Sequence, residues 1–165
     1  MPAKHRLFVL LAVLGIFSAV GVAHAATVVA LGASNTYGKG VSRSAAYPAQ
    51  LQALLRARGL NVQVINAGIN GDTTAGMLAR LGQAVPQGTS VVVFQPGGND
   101  QRKGSPDQTS AIESRLSAMG VKVVLLPNSM LRGLPHQPDG MHLTPEGYHL
   151  LAEGIARQVA AALGR

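Results

Sequence analysis

From residue 27 onward, short runs rich in β-branched residues alternate with longer segments whose apolar residues recur at helical spacing. This alternation limits the possible fold more than any other feature of the sequence. Four of the runs predict buried strands, over residues 27–31, 61–65, 90–94 and 121–126. A helix that connects two parallel strands lies on a face of their sheet. The sequence therefore predicts one α/β domain with three layers, α/β/α, around a mostly parallel sheet.

The segments between these runs, together with the carboxyl-terminal segment, predict four helices. Start and stop residues mark the limits of these helices. The first has Pro48 in its first turn and ends before Gly59, and the second starts at Thr73 or Thr74 and includes Val85. The third starts at Ser105 and stops at Gly120, and the last starts at Thr144. On the third helix, Ile112, Leu116 and Met119 are expected to share one face. Residues 126–138 are too few and too rich in Pro for a further helix and strand, so the sheet is expected to stop after the fourth strand.

The amino-terminal segment has the three parts of a signal peptide. Two cations lie within the first six residues, an apolar or small run covers 7–22, and Ala-His-Ala at 23–25 fits a signal-peptidase site. We expect residues 1–25 to be removed and residues 26–165 to form the single domain of a periplasmic or secreted protein. The alternative is an uncleaved amino-terminal anchor, which would be the protein's only contact with a membrane.

Composition argues against several classes of function. The sequence contains no Cys, which rules out disulfide bridges, Cys-ligated zinc, iron–sulfur clusters and thiol catalysis. Lys and Arg outnumber Asp and Glu by 14 to 7, but they are scattered, and only 4% of residues are aromatic. A nucleic-acid partner is therefore not expected. No set of His and carboxylate residues has metal-ligand spacing, so no metal and no other cofactor is predicted.

Residues with catalytic potential follow the predicted strands. Ser34 follows the first strand in GASNTYGKG, Gly68 follows the second in NAGINGDTTAG, and Asn99 follows the third in GGND. Asp139 and His142 lie near the carboxyl terminus in DGMHLTPEGY. Ligands of parallel sheets bind at the carboxyl ends of the strands, so these positions form the candidate site.

The loop after the first strand does not fit two other motifs with glycine and serine. A phosphate-binding loop needs four residues between its glycines and a hydroxyl after its lysine, whereas five residues separate Gly32 from Gly38 and Gly40 follows Lys39. A nucleophile elbow needs a second glycine where this chain has Thr36.

Taken together and in this order, the four blocks resemble the SGNH or GDSL-like hydrolase family, and most closely its small exported esterase and thioesterase/lysophospholipase branch. The resemblance covers about residues 28–161 and implies a flavodoxin-like α/β/α fold. It further implies an enzyme that hydrolyses small-molecule carboxylic esters or thioesters without a cofactor. It also implies a role for each matching residue. Ser34 is the expected nucleophile, His142 its general base, and Asp139 the residue that orients His142. The expected oxyanion hole consists of the N–H groups of Ser34 and Gly68 and the side-chain amide of Asn99.

The chain departs from the family pattern at two places. Ala33 stands where the family usually has Asp, and residues 101–138 leave no room for the usual further helix and strand. These departures motivate one alternative, a catalytically impaired member that binds an acyl or glycan ligand. Within the esterase class, a carbohydrate O-acetylesterase is the other function left open.

Other polar residues near these blocks are given simpler roles. Asn70 and Asp72 are expected to hold their loop and cap the next helix, and His136 is expected to be exposed. The nearby cations are expected to form a solvated rim, with attraction of an anionic substrate group as the alternative; they are Lys39, Arg43, Arg102 and Lys103.

Overall fold

The computed structural model describes residues 24–164. The predicted signal peptide therefore lies outside the described residues except for its last two positions. Within residues 24–164, no helix combines the length and apolar character needed to cross a bilayer.

Four parallel strands form the sheet, which confirms the predicted α/β class. They are β1 (Ala26–Gly32), β2 (Val62–Gly68), β3 (Thr89–Phe94) and β4 (Lys122–Leu125). Their order across the sheet is β2-β1-β3-β4, so β1 and β3 are central and β4 forms one edge. This order matches the first four strands of a flavodoxin-like sheet. Within residues 24–164, no further strand joins the sheet after β4, as the short segment 126–138 predicts.

The central strands are apolar on both sides because helices cover both faces of the sheet. Side chains alternate along a strand, so Val28 and Ala30 of β1 face one helical layer while Val29 and Leu31 face the other. All four are fully buried. The two separate apolar clusters on the two sides of the sheet establish the three-layer arrangement.

One layer consists of α2 (Tyr47–Ala57) and α7 (Pro145–Ala162), which pack against each other. Both begin with Pro in the first turn, where a missing N–H costs nothing. Thr144 caps α7, since its Oγ1 accepts a hydrogen bond from the Gly147 N–H at 3.1 Å. The apolar stripes of the two helices cover this face of the sheet with Leu51, Leu55, Leu151, Ile155 and Val159.

The other layer consists of α3 (Thr74–Ala79), α4 (Leu81–Ala84) and α6 (Thr109–Ala118), and it differs from the sequence prediction in three ways. The second helix, predicted as one continuous element, is interrupted at Arg80, whose guanidinium donates hydrogen bonds to Asp72 and to the Ala67 carbonyl. The third helix starts at Thr109 rather than Ser105, because the Asp107 carboxylate accepts from the Thr109 N–H and stabilises a turn before the helix. Met119 is 43% exposed, since it follows the last helical residue and leaves the buried face.

Two short helices were not predicted. They are α1 (Ser34–Tyr37), separated from the end of β1 by one residue, and α5 (Asn99–Lys103), separated from the end of β3 by four residues. A 3₁₀ turn over Asn128–Leu131 follows β4. All three elements are only four or five residues long, which is too short to produce a periodic hydrophobic pattern.

Candidate active site

Ser34 is the first residue of α1 and lies directly beyond the end of β1. The chain turns sharply here, and a Cβ on Gly32 would lie 2.1 Å from the Thr36 Oγ1, so only glycine fits at that position. Ala33 occupies the N-cap position without a capping side chain. As the first helical residue, Ser34 has an N–H group without an acceptor inside α1.

The structure brings Ser34 together with His142 and Asp139, which lie more than 100 residues further along the chain. The Nε2 of His142 is 2.9 Å from the Ser34 Oγ, and its Nδ1 is 2.5 Å from the Asp139 Oδ2. A proton on Nδ1 that bonds to the carboxylate leaves Nε2 free to accept from the serine hydroxyl. His142 is only 4% exposed, whereas the side chain of Asp139 is 40% exposed, so the imidazole is shielded from bulk water and the carboxylate is not.

Asp139 holds the histidine through both of its oxygens. While Oδ2 bonds to the imidazole, Oδ1 accepts from the backbone N–H groups of Met141 and His142, each at 2.9 Å. These bonds, led by the one from the His142 side chain, lower the pKa of Asp139 well below its usual range. Asp139 therefore stays negatively charged and favours a positive charge on the imidazole.

Asn35 fastens the loop that carries His142, a role that sequence reasoning missed. Its Nδ2 donates to the Met141 carbonyl at 3.1 Å, and its Oδ1 accepts from the Leu143 N–H at 3.4 Å. Burial raises the pKa of Tyr148 to about 12, so its hydroxyl is protonated and donates to the same Oδ1 at 3.1 Å. The sequence carries no signal of these contacts, because the partners are more than 100 residues apart.

Asn99 reaches the same pocket from the start of α5, and its side chain is held at both ends. Its Nδ2 donates to the Asp72 carbonyl at 2.7 Å, and its Oδ1 accepts from the Arg102 Nη2 at 2.6 Å. An amide nitrogen carries two hydrogens, so a second one is available to the pocket that Asn99 and Ser34 both line.

Gly68 does not fit its predicted place in the oxyanion hole. Its N–H donates to the Asn66 Oδ1 at 3.0 Å, and it is not among the pocket-lining residues. A Cβ at Gly68 would lie 2.2 Å from the Tyr37 backbone nitrogen, so the glycine is explained by close packing against α1. The expectation for Gly68 was therefore wrong for a structural reason.

Gly71, three residues further along the same motif, lines the pocket instead. Its φ of 73° lies in the left-handed region that favours glycine, and its N–H has no acceptor within residues 24–164. The Lys103 Nζ donates to the Gly71 carbonyl at 2.5 Å and fixes this loop. The signal that could have identified it is the second glycine of NAGINGD, directly before the residue that anchors the loop.

Asn70 and Asp72 were predicted to hold their loop and to cap the next helix, and the structure assigns these two roles to partly different residues. Asp72 does hold the loop, through a 2.8 Å ion pair with Arg80. The cap of α3 is Thr73, whose Oγ1 accepts from the Gly76 N–H at 3.1 Å. Asn70 is exposed and lines the pocket rather than bracing the loop.

The pocket in front of Ser34 has a volume of about 620 Å³. His136, expected to be exposed, is half-buried and lines it; its Nδ1 lies 2.6 Å from the Leu134 carbonyl. Three cations also line it: Lys39, Arg102 and Arg132. No group of His, Asp or Glu side chains within residues 24–164 has the arrangement of a metal site.

An α/β fold with a Ser–His–Asp arrangement at the carboxyl ends of its strands is typical of a class of hydrolases, and comparison with known families identifies the same class. The model of the GDSL-like lipase/acylhydrolase family matches residues 30–128, and the chain belongs to that family. The match includes Ser34 and Asn99 and ends before Asp139 and His142.

Two curated proteins and one solved structure illustrate what this chain is similar to. Esterase TesA of Pseudomonas aeruginosa is 36% identical over 110 residues, which are 63% of this chain and 55% of that protein. An arylesterase of Vibrio mimicus is 39% identical over 90 residues, covering 54% of this chain and 44% of that protein. The chain thus spans about half the length of the curated relatives it matches. A crystal structure of a protein named TesA superposes with a TM-score of 0.73 at 25% identity, covering 82% of this chain and 99% of that one.

Proposed function

We propose that this protein is an exported serine hydrolase that cleaves carboxylic esters or thioesters. The observation that carries the proposal is the continuous hydrogen-bonded series from the Ser34 Oγ through His142 to Asp139, with distances of 2.9 and 2.5 Å. A serine hydroxyl becomes a nucleophile when a base accepts its proton and a third group orients that base. The names of the relatives, esterase and arylesterase, support the same activity.

The reaction proceeds through an acyl-enzyme. The Ser34 Oγ attacks the carbonyl carbon while its proton passes to the His142 Nε2, and the carbonyl oxygen becomes an oxyanion. Collapse of the tetrahedral intermediate breaks the bond to the leaving alcohol or thiol, which takes the proton from His142. Water then attacks the acylated Ser34 by the same steps, releasing the acid and restoring the serine.

Three donors are available to the oxyanion. They are the N–H groups of Ser34 and Gly71 and the second Nδ2 hydrogen of Asn99. Ser34 and Gly71 supply backbone donors at the pocket wall, while Arg102 holds the Asn99 amide in one orientation. Donors fixed in advance stabilise the charge that develops in the transition state without having to reorganise.

A polar pocket favours a carbohydrate O-acetylesterase as the second candidate function. The pocket wall includes the amides of Asn70, Gln95 and Asn128, and its larger apolar members are Leu131 and Met141. Such a wall suits a short acyl chain and a hydroxyl-rich alcohol better than a long hydrocarbon chain.

The test is hydrolysis of p-nitrophenyl esters from acetate to palmitate by the purified protein, its Ser34→Ala variant and a Ser117→Ala control. Ser117 is an exposed residue of α6, so the control makes the same change away from the pocket. We expect turnover to fall by about 10⁴-fold or more in Ser34→Ala alone. An optimum at acetate supports the acetylesterase.

Turnover that survives Ser34→Ala would overturn the proposal. If no ester is cleaved, labelling by a fluorophosphonate decides whether Ser34 is reactive. An unlabelled Ser34 would favour the impaired, ligand-binding alternative.

Export is part of the same proposal and has its own test. The signal-like segment ends at Ala25, and β1 begins at Ala26, so cleavage there leaves every described helix and strand intact. We expect the full-length gene product to be recovered outside the cytoplasm with Ala26 as its first residue, as measured by mass spectrometry. An intact amino terminus in the membrane fraction would support the anchor instead.

A further inference from the structure

The charge of the candidate pocket is the feature that the proposed function leaves unexplained. Lys39, Arg102 and Arg132 line it, and no Asp or Glu of residues 24–164 does. Acidic residues near the site have other partners: Asp139 bonds to His142, and Asp72 pairs with Arg80. The pocket therefore carries an excess of positive charge.

The cations come from three separate parts of the chain. Lys39 follows α1, Arg102 lies on α5, and Arg132 follows the 3₁₀ turn. Bringing like charges to one pocket is unfavourable unless solvent or a bound anion compensates for them. Three separate segments of the chain each place one of these cations at the pocket. The scattered distribution of Lys and Arg along the sequence does not account for this convergence.

Two of these side chains are available to a ligand. Within the described part of the chain, the Lys39 ammonium and the Arg132 guanidinium make no hydrogen bond or ion pair with another residue. By contrast, Arg102 bonds to Asn99, Lys103 to the Gly71 carbonyl, and Arg43 to the Tyr37 carbonyl. Guanidinium and ammonium groups are the protein's usual partners for carboxylate and phosphate oxygens.

We propose that the substrates of this site are esters that carry a second, anionic group, a carboxylate or a phosphate, which Lys39 and Arg132 bind. The inference rests on the proposed hydrolase function, because it concerns the same pocket. It explains the absence of acidic side chains from the pocket wall. It also gives residues 126–138 a role, since that shortened segment brings Arg132 to the pocket.

The kinetic test compares two substrates with acyl chains of five carbons, mono-4-nitrophenyl glutarate, which is anionic, and 4-nitrophenyl pentanoate, which is neutral. The quantity measured is the ratio of their kcat/KM values after subtraction of uncatalysed hydrolysis. We expect the double variant Lys39→Gln/Arg132→Gln to lower this ratio by about two- to fivefold for each charge removed. Raising the ionic strength should lower the ratio in the unmodified protein and have less effect in the double variant.

The matched control is Arg58→Gln/Arg157→Gln, which removes the same net charge from exposed positions outside the pocket. Its ratio is expected to equal that of the unmodified protein. If the neutral ester is cleaved in a Ser34-dependent manner but the ratio is the same in all three proteins, the inference is overturned and the hydrolase stands.

A binding measurement separates this inference from the proposed function. Methyl hydrogen glutarate and methyl pentanoate are titrated into the Ser34→Ala variant and followed by NMR shifts of pocket amides. We expect the anionic ester to bind more tightly, and Lys39→Gln/Arg132→Gln in the same background to abolish the difference. If no ester is turned over but the anion still binds selectively, the hydrolase proposal fails, and what stands of the inference is the binding of anions by Lys39 and Arg132. Equal binding of both esters would overturn the inference, whatever the turnover.

Discussion

The side-chain amide of Asn35 donates a hydrogen bond to the backbone carbonyl of Met141 at 3.1 Å and so ties the residue after Ser34 to the residue before His142. The Asn35 Oδ1 also accepts from Leu143, on the other side of the histidine. His142 lies on a loop that no fifth strand supports, because the described sheet stops at β4. These two contacts, the bonds to Asp139 and a 2.7 Å hydrogen bond from the Gln137 N–H to the His142 carbonyl hold the loop that carries the imidazole.

We expect Asn35→Leu to lower kcat on a neutral ester by about 10²-fold with little change in KM, because a displacement of about 1 Å in a reacting group has an effect of that size. Tyr148→Phe removes only the hydroxyl that bonds to Asn35 and should lower kcat less. Steady-state kinetics and thermal unfolding of both variants check this. A normal kcat in a folded Asn35→Leu protein would mean that the contacts of Asp139 and Gln137 hold the histidine without Asn35.

The low pKa of Asp139 predicts how stability depends on pH. An unfolded Asp titrates near about 3.9, and the folded-state pKa lies below this, so the hydrogen bonds of Asp139 stabilise the fold above about pH 4 and are lost as the pH falls further. We expect the free energy of unfolding to decrease more between pH 6 and pH 3 in the unmodified protein than in Asp139→Asn. Urea unfolding at several pH values measures this.

Ser34→Ala is the control for that experiment, because it removes the proposed nucleophile and keeps the Asp139 carboxylate with its three hydrogen bonds. Its pH dependence should follow that of the unmodified protein. Parallel curves for Asp139→Asn and Ser34→Ala would contradict the prediction.

Asn99→Ala tests the side-chain donor of the proposed oxyanion hole. Loss of one such donor lowers kcat by about 10²- to 10³-fold, and KM should change little because the donor acts on the transition state. Asn128→Ala makes the same change at another pocket-lining position and is expected to change kcat less than threefold, about 0.7 kcal/mol. Steady-state kinetics on p-nitrophenyl acetate compares the two, and equal effects would argue against a special role of Asn99.

Gly68→Ala tests the reassignment of Gly68 from the site to the fold. The new Cβ would lie 2.2 Å from a backbone nitrogen of α1, so we expect a loss of about 1–3 kcal/mol in the free energy of unfolding. Gly82→Ala, in α4 with open space around it, should instead stabilise the protein by about 0.4–1 kcal/mol. Urea unfolding measures both, and an unchanged stability of Gly68→Ala would contradict the packing explanation.

The extent to which the sequence predicted the structure depends on how local each feature is. The strand residues Val28–Leu31 and the helix residues Leu51 and Leu55 are buried as the apolar pattern predicted. The pattern gave the wrong face for Met119, because it does not report where a helix ends. It also missed the break at Arg80, whose side chain pairs with Asp72 and bonds to the Ala67 carbonyl of a neighbouring strand, because a local pattern does not report such contacts.

The amino-acid sequence by itself determined the layers, the order of elements along the chain and the polar residues at the strand ends, because hydrophobic period and turn residues act over a few positions. Only the tertiary structure decided that Gly71 rather than Gly68 faces the pocket, that Asn35 fastens the His142 loop, and that Lys39 and Arg132 converge. These relationships join residues far apart in the chain. They depend on the path of the backbone in three dimensions, which no local pattern encodes.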